Sequence, residues 1–169
     1  MEFDKKEEAY GRVHFKILNF LSFKQRSEKE VLDRIEKYLS KIHLPSREID
    51  EIRQKVLSRL KEDGYLKDSN DLDFSTSYIR GLINSNKPTN KIKVSQFLLR
   101  KGVSKEIIQK ALENLDNDFV YQSVLKEAEK KLRLIKGEDT YSKKKKLMNF
   151  LYRKGYPFEI ITSVVDTLL

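Results

Sequence analysis

The chain of 169 residues has no cysteine, which removes disulfides and thiolate metal sites and fits a reducing compartment. Its only histidines, His14 and His43, lie 29 positions apart, a spacing that offers no metal-ligand pattern. Glycine occurs six times, in neither a GxxxxGK nor a GxGxxG arrangement, so no loop is built to cradle a nucleotide phosphate. No Ser/His/Asp arrangement supports nucleophilic catalysis. No apolar run approaches the ~18 residues of a membrane span. The opening MEFDKKEEAYGR is charged where a signal peptide needs an apolar core. Strand-like alternation never persists beyond a few residues. Together these absences predict an all-α, cytoplasmic protein with no cofactor, no metal and no membrane contact. The acidic run DSNDLD at 68–73 does not make a calcium loop, because position six counted from Asp68 is Asp73 where glycine is required. It reads instead as a helix start, with Asp71 or Asp73 capping the helix of Phe74.

What is present is charge and helical rhythm. Residues 1–84 carry 17 basic and 16 acidic side chains, whereas residues 85–169 carry 18 and 10. The excess of +9 therefore lies almost wholly in the second half, and it favours a polyanionic partner.

The phrase FLLRKGVSKEIIQKAL at 97–112 returns 53 positions later as FLYRKGYPFEIITSVV at 150–165. Val94, Phe97 and Leu98, then Ile107, Ile108, Ala111, Leu112 and Leu115, trace the i, i+3, i+4 face of two helices. Leu147, Phe150, Leu151, Ile160, Ile161, Val164, Val165 and Leu168 repeat it. Gly102 and Gly155 fall where the first helix stops, since a residue without Cβ accepts the left-handed closing conformation. Ser104 is placed to cap the following helix, and Pro157 suits its first turn. A weaker copy 59 positions before the middle one aligns Ile35, Tyr38 and Leu39, with His43 at the glycine position. Its helix opens on Ser27-Glu28-Lys29-Glu30, a capping box. A further helical segment precedes each pair, around Val13 and Ile17, Phe74 and Ile79, and Val120 and Val124. The pattern predicts three tandem three-helix repeats at 1–68, 69–116 and 117–169, stacked because one module buries too little apolar surface alone.

The same register aligns cations that packing does not require. Arg34, Lys93 and Lys146 share one position, and Lys41, Arg100 and Arg153 share another seven residues on. Seven residues is nearly two turns, so each pair forms one stripe at a solvent-facing edge, about 100° from the apolar face. Lys143, Lys144, Lys145 and Lys146 form the densest basic run, at a helix start where cations oppose the dipole. These nine residues are the candidate partner or nucleic-acid contacts, with phosphate engaged by counterion release. Their bland alternative is a solvated helix flank. Tyr10, Tyr38, Tyr78, Tyr121 and Tyr152 could stack on bases, but three of them fall in apolar register and read better as core.

Arg26-Ser27-Glu28-Lys29-Glu30-Val31, LKEDGYL at 60–66, Asn70-Asp71-Leu72-Asp73-Phe74 leading to Tyr78-Ile79-Arg80, LLRKGVS at 98–104 and LYRKGYP at 151–157 follow in an order that resembles the RecX family, bacterial modulators of the RecA recombinase. The resemblance covers roughly residues 9–169. It implies an elongated, curved arrangement of three-helix repeats and a monomer. The implied activity is regulatory and non-enzymatic: binding in the groove of the RecA filament on single-stranded DNA and restraining its growth, ATP hydrolysis and strand exchange, in DNA repair, recombination and the SOS response. Three departures bear on module orientation. Lys67-Asp68-Ser69 lengthens the first linker, Ser75 stands where the family commonly has Ala, and Asn84-Ser85-Asn86-Lys87-Pro88 replaces a glycine-containing turn. The alternative reading is a helix-turn-helix protein reading duplex DNA. Its second helices, however, would present Lys105, Gln109 and Lys110, or Phe158, Thr162 and Ser163, a poor set for bidentate base contacts.

Overall fold

Each apolar stripe in the sequence becomes the buried face of a helix, and the stops between them are made by caps and left-handed residues. The computed structural model describes residues 5–67, 69–136 and 139–169; Asp68, the expected end of the first repeat, lies outside them. Among the described residues there are nine helices and no strand: α1 (Lys5–Ser22), α2 (Glu28–Leu39), α3 (Ser46–Glu62), α4 (Asn70–Asn84), α5 (Lys91–Arg100), α6 (Lys105–Leu112), α7 (Asn117–Leu132), α8 (Thr140–Arg153) and α9 (Phe158–Leu168). They fall in three successive groups of three, the tandem three-helix architecture expected from the repeat.

The chain forms two compact units, one of Met1–Ser77 with Leu99–Ile107, the other of Tyr78–Leu98 with Ile108–Leu169. In the first, α1, α2 and α3 pack on one another around Val13, Ile17, Val31, Ile35, Leu39, Ile52, Val56, Leu60 and Leu66. Each such side chain contributes about 1.5–3 kcal/mol of burial. The start of α4 is tied to this core by polar contacts: Asn70 Nδ2 donates to the Arg26 carbonyl at 2.9 Å, and Asp71 accepts from the Glu28 N–H at 2.7 Å. Asp71 therefore serves the N-terminus of α2 and not, as expected, that of α4. Since α4 begins at Asn70, Asp71 and Asp73 lie inside its first turn, where carboxylates still favour the dipole.

In the second unit α7, α8 and α9 pack mutually, burying Val120, Val124, Ala128, Leu147, Leu151, Ile161, Val164 and Val165. Tyr78 of α4 stacks on Phe97 of α5 with ring centroids 4.0 Å apart. The stretch in place of a glycine turn is closed by Asn86 at φ 51°, a left-handed position that Asn tolerates better than most residues. Ser75 is fully buried, and its hydroxyl donates to the Asp71 carbonyl at 2.6 Å, so the departure from Ala leaves no unpaired polar group. Pro157 takes the N-cap of α9, one position before the first-turn site expected of it.

Candidate functional site

The repeated Arg-Lys-Gly closes α5 and α8 in the same way. Gly102 and Gly155 adopt φ 83° and 84°, the left-handed stop. Each preceding lysine carbonyl then accepts a bond from the N-cap of another helix. Ser27, capping α2, donates its hydroxyl to the Lys101 carbonyl at 2.8 Å, and Asn90 donates its amide to the Lys154 carbonyl at 2.9 Å. Both cap residues are buried, and both also hold their own helix, Ser27 through the capping box with Glu30 and Asn90 by accepting from the Lys93 N–H at 2.9 Å. The lysine ammonium groups are committed as well: Lys101 to Glu30 and Lys154 to Glu127, each at 2.6 Å. Burial pushes the Glu30 carboxyl up, but the hydrogen bond from Lys101, the Ser27 N–H and the charges of Lys101 and Arg26 outweigh it, leaving Glu30 below its ordinary value. The lysine of each phrase is thus committed to packing.

Arg100 and Arg153 are exposed, and among the described residues Arg153 Nε donates to the Asn149 carbonyl one turn back, at 3.4 Å. Lys41 is exposed just past α2, and Lys93 is exposed on α5 with its ammonium 5.9 Å from the centre of the Tyr156 ring. Burial, together with the charge of Glu127, pushes that phenol up to about 12. Arg34 departs from the solvent-facing edge expected of the stripe. It is half-buried, with its guanidinium 4.2 Å from the Phe20 ring centre and 6.0 Å from that of Tyr38. The first unit holds Arg34, Lys41 and Arg100; the second holds Lys93, Lys143, Lys144, Lys145, Lys146 and Arg153.

The lysine run occupies the first turns of α8. Its cost against the dipole is offset at the N-cap, where Asp139 accepts from the Ser142 N–H at 3.0 Å and hydroxyl at 2.7 Å, bonds that hold its carboxyl below the usual range. Lys144 pairs with Asp166 of α9. Lys143 is half-buried, while Lys145 and Lys146 are exposed. In the first unit several cations are paired with neighbours: Lys6 with Glu51, Lys55 with Glu7, and Arg53 with Glu36 and Asp50. Such surface pairs add little stability, yet they cancel charge, consistent with the balanced composition of residues 1–84.

Beside the lysines lies a feature the sequence reading missed. Tyr141, Lys144, Lys145, Met148, Asn149, Tyr152 and Phe158 line a groove of about 440 Å³ along α8 and the start of α9. Tyr141, Tyr152 and Phe158 are 74%, 67% and 61% exposed. Tyr10, Tyr38, Tyr78 and Tyr121 are half-buried, whereas Tyr152 faces solvent. The signal was available: Met148 and Tyr152 follow Tyr141 by seven and eleven residues, a single helical stripe about 100° round from the buried face of Leu147 and Leu151.

Residues 118–165 match the family model described as RecX, third three-helix domain, and residues 78–119 match the TBPIP/Hop2 winged helix domain. The Regulatory protein RecX of Clostridium perfringens (strain 13 / Type A) is 31% identical over 165 residues, covering 96% of this chain and 71% of that protein. That of Clostridium botulinum (strain Eklund 17B / Type B) is 34% identical over 142 residues, 83% of this chain and 60% of its own length. That of Bacillus pumilus (strain SAFR-032) is 31% identical over 149 residues, with shares of 88% and 52%. The chain thus spans between 52% and 71% of the length of these relatives. The fold is shared with the crystal structure of RecX from Lactobacillus salivarius, at a TM-score of 0.74 and 22% identity over 96% of this chain and 97% of that one. A second structure, titled regulatory protein RecX, gives 0.72 and 21%, with shares of 98% and 79%. A relative 31% identical, aligned along 96% of this chain and 71% of its own length, places this protein in the RecX family.

Proposed function

We propose that this protein binds the filament that the RecA recombinase forms on single-stranded DNA and restrains its growth, ATP hydrolysis and strand exchange. The observation that carries the reading is the 165-residue likeness to a regulatory protein of the RecX family. The architecture suits the role: three modules, at 1–68, 69–116 and 117–169, present recurring cations to a partner while their cores remain buried. Arg100 and Arg153 are the residues to engage acidic RecA surface or DNA phosphate, since both are exposed while the lysine beside each is held in an ion pair. The protein acts as a cytoplasmic monomer; among the described residues no helix is long and apolar enough to cross a membrane.

The test is the DNA-dependent ATPase of RecA. The chain should inhibit it at substoichiometric ratio, and the absence of inhibition at several-fold excess would sink the proposal. Reversing charge in Arg100→Glu with Arg153→Glu should abolish filament binding at unchanged helicity by circular dichroism. The winged-helix match at 78–119 favours a second reading, in which α6 reads duplex DNA. A mobility shift showing strong preference for one duplex sequence would support that reading instead.

A further inference from the structure

The groove along α8 combines two chemistries that the cation stripe alone lacks: flat apolar faces and ammonium groups beside them. Tyr141, Met148 and Tyr152 repeat along one line of the helix, and Phe158 adds a wall from the start of α9. At 1.5 Å rise per residue, Tyr141 and Tyr152 stand about 16 Å apart along the axis. Lys144 and Lys145 line the same groove, and no acidic side chain does. Lys144 keeps a pair with Asp166, while Lys145 is exposed and forms no ion pair among the described residues. A second groove of about 440 Å³, lined by Lys91, Ile92, Tyr156, Pro157 and Ile160 among others, also counts Tyr152 in its lining. Tyr152 thus borders both grooves; it is 67% exposed, and its ring and hydroxyl have no hydrogen-bonding or ring partner among the described residues.

Three exposed aromatic rings are costly to leave in water unless something covers them. A second copy of the chain is a poor cover, because a symmetric contact would bring the Lys144 and Lys145 pairs of two copies together in a half of the sequence already at +8. The chemistry fits a ligand with flat aromatic faces and a regular negative backbone. Duplex DNA hides its base faces in the stack, whereas an unpaired strand offers them.

We propose that this groove is a binding site for single-stranded nucleic acid, with unpaired bases stacking on Tyr152, Tyr141 and Phe158 and a phosphate meeting Lys145. It adds a site to the filament reading without depending on it: the groove works on a bare strand with no recombinase present. Discrimination comes from strandedness and not from sequence, because every base has a stacking face.

Fluorescence anisotropy of labelled single-stranded oligo-dT, without RecA, tests the site. Tyr152→Ala should weaken binding roughly 5- to 150-fold, the effect of losing one stacked base at ~1–3 kcal/mol, while Tyr152→Phe keeps the parental affinity. Lys145→Ala should lower the dependence of log affinity on log salt by about 0.7. The chain contains no tryptophan, so Tyr152→Trp provides a single reporter whose emission should be quenched by oligo-dT. The proposal is overturned if Tyr152→Ala and Phe158→Ala bind oligo-dT as the parent does. Unchanged indole emission from the Tyr152→Trp variant at saturating strand, or equal affinity for a duplex of the same length, would overturn it too. A concentration-dependent dimer lost in Tyr152→Ala would assign the groove to self-association instead. RecA inhibition that survives Tyr152→Ala leaves the filament reading standing whichever way the strand experiment falls.

Discussion

Replacing Gly102 by alanine should destabilise the protein far more than the same change at Gly64, although both glycines have positive φ. At Gly102 the backbone stands at φ 83°, which costs an L-residue about 1–2 kcal/mol. The new Cβ would also lie 2.6 Å from Cδ and 2.7 Å from Cβ of Lys29. The Cδ can swing away, but the Lys29 Cβ is fixed to the first turn of α2, so the turn or the helix must shift, at about 1–3 kcal/mol. The two contributions give roughly 2–5 kcal/mol for Gly102→Ala. Gly64 has φ 74° and only the flexible Lys67 Cε within reach, at 3.6 Å, which leaves the conformational cost of about 1–2 kcal/mol. Gly81 is the internal control: it sits inside α4 with nothing within 4 Å, and alanine there should stabilise by about 0.5–1 kcal/mol. Urea unfolding followed by circular dichroism reads the series. With a slope near 2 kcal/mol/M, the Gly102→Ala midpoint should fall by roughly 1–2.5 M. A Gly102→Ala midpoint equal to that of Gly64→Ala would refute the argument that α2 presses on this turn.

Ser27→Ala and Asn90→Ala each remove a helix cap and leave a lysine carbonyl without its donor, so each should cost about 1–3 kcal/mol in the same assay; a loss under a few tenths would show that water replaces the bond. The depressed Glu30 carboxyl gives a pH signature. A group whose folded value lies below its ordinary 4.5 stabilises above that pH, and the contribution disappears as pH falls through the folded value. Glu30→Gln should therefore lose stability at neutral pH and show a flatter decline below about pH 4.5 than the parent, and parallel profiles would contradict the Lys101 contact. Lys101→Met and Lys154→Met should reduce stability while leaving filament binding in place, the opposite of the outcome for Arg100→Glu with Arg153→Glu; lost binding at unchanged stability would reverse the division of labour within the Arg-Lys pair.

Much of the fold could be read from the sequence because it rests on local chemistry. Ser27 with Glu30, the left-handed Gly102 and Gly155, and the i, i+3, i+4 stripes all act within a few residues, so their spacing specifies them. Where prediction failed, the residue was serving a distant partner. Asp71 looked like a cap for its own helix, yet its carboxylate holds the Glu28 N–H 43 positions away. Arg34 shares its register with exposed lysines, but Phe20 on a neighbouring helix draws its guanidinium inward. Tyr152 lies about 100° round α8 from the buried Leu147 and Leu151, a register legible in the sequence, but the wall that Phe158 adds beside it comes only from the packing of α9 on α8.

The sequence by itself determined the helices, their stops, their threefold grouping and the family, since periodicity, caps and repeated words are properties of the chain at short range. Tertiary structure decided which of two adjacent cations is spent on packing. Arg100 and Lys101 are neighbours of like charge, but successive helical residues point about 100° apart, so Glu30 can reach only one of them. It also decided that Tyr141, Tyr152 and Phe158 share one groove, because Phe158 joins the other two only when α9 folds back against α8.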